Sequence, residues 1–163
     1  MIIEVWTKDK YSGSEEAGLL ARLTRAVLDI KTARLSRLYK IEAPWTKKDF
    51  DRLAAELLTD KITEHYSLSK RPAPHFGRFG KSAGPGVKGG WRAEVWLKNS
   101  ATDVIGESVK EAIHDMLGRS PSDVRFGRAY YAACGGEAKL RAAVAKTLMN
   151  EVVNVCGITR IKD

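Results

Sequence analysis

Three histidines, two cysteines and several glycine clusters are the residues of this chain that chemistry would most readily use. His65, His75 and His114 stand far apart. None has a second histidine or a carboxylate at ligand spacing, so no metal site is expected. Cys134 precedes Gly135-Gly136 where a helix should begin, a position that can activate a thiol. No base accompanies it, and a small apolar residue closing a strand is the simpler expectation. Cys156, in Val155-Cys156-Gly157-Ile158, reads as strand core. Gly77-Arg78-Phe79-Gly80 and Gly84-Pro85-Gly86 lack the preceding strand and capped helix that a phosphate-binding loop needs. Glu15-Glu16 opens a helix, where acidic side chains suit the dipole. No catalytic, cofactor-binding or metal-binding residue is therefore expected.

Two arginines carry more information. Alternation sets Arg37 on the face of Ala33, Leu35 and Tyr39, and Arg128 on that of Val124, Phe126 and Tyr130. A guanidinium on an apolar strand face calls for a carboxylate, a carbonyl or a partner surface, unless the side chain snorkels to water. Trp6 and Trp96 fall on the opposite face from Val5 and Val95, where packing between units is expected rather than ligand contact.

The elements that position these residues follow from periodicity. Ile3 and Val5 alternate as a strand. Leu19, Leu20, Leu23, Ala26, Val27 and Ile30 recur at helical spacing, with Ser14 as N-cap. Ala33 to Ile41 alternates again. Thr46-Lys47-Lys48-Asp49 resembles a capping box ahead of the stripe Phe50, Leu53, Ala54, Leu57 and Leu58. Ile62 to Leu68 closes the set as a strand. The second half follows suit. It has a strand from Trp91 to Leu97, a helix through Ile105, Val109, Ile113, Met116 and Leu117 capped by Gly118, and a strand from Val124 to Tyr131. A helix through Leu140, Val144 and Leu148 and a strand from Val152 to Ile161 complete it.

The parallel extends to residue types. Glu4-Val5-Trp6-Thr7-Lys8 returns as Glu94-Val95-Trp96-Leu97-Lys98, an offset of 90. Arg34-Leu35-Ser36-Arg37-Leu38-Tyr39 answers to Arg125-Phe126-Gly127-Arg128-Ala129-Tyr130, an offset of 91. Leu58-Thr59-Asp60-Lys61-Ile62 answers to Leu148-Met149-Asn150-Glu151-Val152. The chain thus divides into a unit at 1–68, a Gly/Pro/basic linker at 69–90 and a unit at 91–163. The expected fold is α+β: two repeats of strand-helix-strand-helix-strand, each an antiparallel sheet with helices on one face. A unit of about 70 residues builds only a thin core, about 3–5 kcal/mol, so the two should pack as an intramolecular pseudo-dimer.

Charge is distributed unevenly. The net +8 splits into +1 for 1–68, +5 for 69–90 and +2 for 91–163. The basicity belongs to the linker, which holds 6 of the 14 glycines and 3 of the 5 prolines. A flexible segment of that length spans about 25–28 Å, enough to cross one small unit. Its Arg71, Phe76, Arg78, Phe79, Lys81 and Lys88 could form a basic aromatic arm for single-stranded nucleic acid, the rival function. No apolar run approaches the roughly 20 residues of a membrane span. The N-terminus lacks signal-peptide features, and the two cysteines read as reduced thiols, so a cytoplasmic location is expected.

Each half resembles the small PurS subunit of phosphoribosylformylglycinamidine synthase and the equivalent N-terminal region of single-chain forms of that enzyme. The likeness rests on the opening Glu-Val-Trp-x-Lys strand and on Val124-Arg125-Phe126-Gly127-Arg128-Ala129-Tyr130, close to the family's V-R-x-G-(K/R)-x-(Y/F). It rests also on Leu57-Leu58-Thr59-Asp60-Lys61-Ile62 and Leu148-Met149-Asn150-Glu151-Val152-Val153, which look like L-L-x-N-P-V. Lys61 and Glu151 stand where the family has proline, and Ser36 stands where the second copy has Gly127. The resemblance implies a non-catalytic accessory subunit or domain without cofactor, bridging the ATP-dependent large synthase subunit and the glutaminase subunit in de novo purine synthesis. Arg34, Arg37, Tyr39, Arg125, Arg128 and Tyr130 are the expected interface residues, and further oligomerisation is open.

Overall fold

The computed structural model describes residues 1–27, 29–79, 84–87 and 89–162, with only the backbone at 78 and 79. The chain runs β1 (Ile2–Thr7), α1 (Gly13–Thr24), β2 (Ile30–Glu42), α2 (Lys47–Leu53), β3 (Glu64–Ser69) and β4 (Gly77–Phe79). It continues as β5 (Trp91–Leu97), α3 (Val104–Leu117), β6 (Asp123–Cys134), α4 (Glu137–Thr147) and β7 (Asn154–Ile161). A π-helical turn, Ala54–Leu58, prolongs α2.

The strands form one sheet in the order β3-β1-β2-β6-β5-β7-β4. The first six are antiparallel, and short β4 adds in parallel beside β7. The halves therefore share one sheet, joined edge to edge where β2 pairs β6 along most of its length. Arg37 lies opposite Arg128, its own counterpart at the 91-residue offset. Tyr39 opposes Phe126, and the reciprocal pair Leu35 and Tyr130 is also present. Pairing this long removes from each half one of its two open edges, which would otherwise invite aggregation. It also explains why β2 and β6 outrun the apolar alternation: pairing with Ala133 holds Thr32 extended although its side chain is exposed, and the register shifts at Lys31.

The helices cover one face, cross-matched between halves. Leu19 and Leu23 of α1 and Leu140, Ala143 and Val144 of α4 share a core over Ala33, Val95, Tyr130 and Ala132. Phe50 and Leu53 of α2 and Ile113 of α3 share another over Ile3, Val5, Ile41 and Val124. Arg22 of α1 donates to the Thr147 carbonyl at 2.8 Å, and Arg119 after α3 pairs with Asp49 of α2 at 2.6 Å. Neither core could be completed by one half alone.

Local signals fix several helix ends. Thr46 and Asp49 form the capping box of α2, and Gly118 ends α3 with φ 66°. At α1 the expectation of a Ser14 cap is corrected. The helix starts at Gly13, and Ser12 at the cap position turns its hydroxyl onto the Glu16 carboxylate at 2.5 Å.

The segment at 69–90 does more than connect. Its described part lies across the face opposite the helices, where Val87 and Ala73 join Ile2, Leu38, Trp96, Ala129 and Tyr131 in a third apolar cluster. Gly84 is in contact with the Tyr131 ring so closely that a Cβ would collide with it.

Candidate functional site

Under that segment lies a buried charged cluster. Glu4 of the first half and Arg92 and Glu94 of the second are at most 2% exposed. Arg92 donates to Glu4 at 3.1 Å, to the Tyr131 oxygen at 2.8 Å and to Glu94. Arg71 reaches down from the connecting segment to pair with Glu94. The His75 backbone N–H and the Trp96 indole N–H donate to the second Glu94 oxygen at 3.1 and 3.0 Å. Glu4 also accepts from Ser36, at 2.5 Å, and from the Tyr131 hydroxyl. Two carboxylates meet two guanidiniums, so the cluster is electrically balanced. Burial, with Arg92 beside it, pulls Arg71 down to about 10, which leaves it cationic at neutral pH. Burial and the Glu4 carboxylate raise the Tyr131 phenol, which stays protonated.

Such a cluster contributes registry more than net stability, because desolvation offsets most of the Coulomb attraction. It ties the two halves and the connecting segment at one point. Closed to solvent, it acts as a clasp and offers no room for substrate. Glu4 and Glu94 are the paired glutamates of the sequence repeat, yet repetition alone could not reveal their burial. Arg92 has Ile2 as its counterpart, so the clasp is not duplicated.

The residues expected at an interface are placed differently from one another. Arg34 and Arg125 bind within their own halves, in matching fashion. Arg34 donates to the Thr7 carbonyl and Arg125 to the Leu97 carbonyl, each at 2.8 Å. Arg34, 8% exposed, also holds Asp9 and Glu16, while Arg125 adds Asn99. Tyr39 and Tyr130 are core residues at the strand junction, Tyr39 tilted against Phe126 at 5.4 Å. Arg37 is half-buried and paired with Glu64 at 2.7 Å, the carboxylate its position called for. Arg128 is exposed, its guanidinium 5.6 Å from the Phe126 ring centroid.

The turns before β3 and β7 repeat the same chemistry. Lys8 donates to the Lys61 carbonyl and Lys98 to that of Glu151, at 2.7 and 2.6 Å. Asp60 accepts from the Ile62 N–H and Asn150 from the Val152 N–H, at 2.7 and 3.0 Å. These Asx turns form with Lys61 and Glu151 directly after the Asx residue.

Trp96 lies flat over Gly127, where a Cβ would come within 2.6 Å of its ring, and joins the cluster that spans both halves. Trp6, whose half has Ser36 in the place of Gly127, lies 6.0 Å from His65 of its own half. Of the basic aromatic arm, Arg71 is turned inward into the clasp and Phe76 is 57% exposed. Lys81, Lys88 and the side chains of Arg78 and Phe79 lie outside the described residues.

The helix face carries a cleft of about 310 Å³ between α3 and α4, bordered by Leu97, Asp103, Phe126, Arg128, Leu148 and Asn154. Among the described residues no group of three metal-ligating side chains converges and no helix is long and apolar enough to cross a membrane. Cys134 and Cys156 are free thiols, and burial raises the latter. No protein-family model and no curated protein matches the chain.

Proposed function

We propose that the chain is a non-catalytic accessory subunit or domain of phosphoribosylformylglycinamidine synthase. In this role two PurS-like units, fused as an intramolecular pseudo-dimer, bridge the ATP-dependent synthase subunit and the glutaminase subunit. The complex as a whole converts the formylglycinamide ribotide to its amidine with ATP and glutamine, and this chain performs no chemical step.

The observation that carries the proposal is the pairing of Arg37 with Arg128. A strand residue that meets its own repeat counterpart sits on the local twofold of a dimer-like junction. A fused dimer presents two related surfaces from one rigid sheet, and divergence between the copies lets them differ, as a bridge between unlike subunits requires. The resemblance of both halves to PurS supplies the identity of the complex. The nucleic-acid alternative is weakened by the loss of Arg71 to the clasp.

An add-back assay tests the proposal. Purified large synthase subunit and glutaminase from the same source should form amidine from glutamine poorly without this chain and efficiently with it. Unchanged glutamine-dependent turnover on addition of the chain would refute it.

A further inference from the structure

The two copies solve the same electrostatic problem in different ways. In the first half, the Arg37 guanidinium donates to both oxygens of Glu64, at 2.7 and 2.8 Å, and to the Leu58 carbonyl at 3.3 Å. In the second half the corresponding residues are Arg128, Asn154 and Leu148. Asn154 takes over the backbone duty of Glu64: it accepts from the Asn150 N–H at 2.9 Å, as Glu64 accepts from the Asp60 N–H at 2.9 Å. It brings no charge. Among the described residues Arg128 has no carboxylate partner, and its exposed guanidinium borders the cleft between α3 and α4.

The rim of that cleft differs between the copies in a second respect. α1 opens with Gly13-Ser14, whereas α3 opens with Val104-Ile105, which are 68% and 44% exposed. Apolar side chains of that size at an exposed first helical turn gain nothing from helix capping, and they adjoin a cavity floored by Leu97 and Phe126. Arg37 and Arg128 are cross-strand neighbours, and Glu64 pairs with Arg37 alone, which leaves one carboxylate for the two guanidiniums among the described residues.

We infer that the second-half cleft is a docking site for a partner polypeptide that inserts an aspartate or glutamate, flanked by apolar side chains, onto Arg128. The first half shows the bound arrangement, with Glu64 as the built-in version of the incoming group. A charge-assisted guanidinium–carboxylate pair sheltered by an apolar rim is the kind of contact that fixes register at an interface. The apolar rim favours a polypeptide over a free anion, since Val104 and Ile105 would contribute nothing to an isolated carboxylate. The inference rests on the docking role proposed above but not on which complex is served.

The test is a two-dimensional NMR titration with acetyl-Leu-Glu-Leu-amide and its Gln counterpart, observing the Arg128 Nε–H and the amides of Val104 and Ile105. The Glu peptide should shift these signals and the Gln peptide should bind roughly tenfold more weakly. Asn154→Glu copies the first half, so its side chain should take Arg128 internally and abolish the shifts, whereas Asn154→Gln should retain them. Preserved amide shifts elsewhere establish that each variant is folded. Equal binding of both peptides, absence of binding, unchanged binding to Asn154→Glu, or the full shift pattern from acetate alone would each overturn the inference. Neither synthase subunit enters the experiment. Its failure therefore leaves the add-back result standing, and failure of the add-back leaves this binding measurable.

Discussion

Single residues mark where the two copies parted. Gly127 lets Trp96 lie on the strand, and a methyl-sized group there meets the indole at 2.6 Å. Gly127→Ser should therefore displace Trp96 from the cluster beneath the connecting segment. It should cost about 1–3 kcal/mol in chemical denaturation, with a red-shifted tryptophan emission. Glu94 is more demanding, because it accepts from Arg71, Arg92, Trp96 and the His75 backbone at once. Glu94→Gln leaves two buried guanidiniums to share Glu4, and a loss of about 3–5 kcal/mol is expected by the same measurement. The sequence displayed Glu4 and Glu94 as a repeated pair, but a glutamate beside a tryptophan in a strand looks solvent-exposed until the covering chain is known. Arg37 was legible as a cation in need of a partner. That Glu64 supplies it while Asn154 does not depends on a long-range pairing that alternation cannot specify.

Elements with strong local chemistry came through with few changes. The Thr46–Asp49 box and the Gly118 stop define helix ends by interactions within a few residues, so spacing alone locates them. The extent of β2 and β6, and the existence of β4, depend on which strand each meets, and there residue patterns carry little information. The pH response belongs at this scale. Hydrogen bonds from Thr46 hold Asp49 below its ordinary value, and the backbone N–H groups of Ile62 and Thr63 do the same for Asp60. A carboxylate with a depressed folded value contributes its stability fully above its unfolded value, near 3.8. That contribution is lost as pH falls through the folded one. The stability difference between the wild type and Asp60→Asn should accordingly be constant from neutral pH to about 5 and shrink below about 4, as read by urea denaturation across that range. A difference that grows on acidification would contradict the assignment.

The whole molecule behaves as one unit because both helix-face cores take helices from both halves. Unfolding should be a single transition, with tryptophan emission and far-ultraviolet circular dichroism changing together. The 1–68 piece alone exposes the β2 edge and half of each core, so it should be unfolded or self-associate through β2, as sedimentation would show. The α+β class was visible in the chain, whereas the way the halves meet was not. Their union in one continuous sheet, and the use of the Gly/Pro-rich segment as a cover, arise from tertiary contacts that its composition argues against. The central claim, that this chain is a docking platform between two catalytic partners, is tested most directly by sedimentation velocity of the chain mixed with purified large synthase subunit and glutaminase. The account predicts one faster boundary containing all three proteins. Independent sedimentation of this chain beside the other two would contradict it.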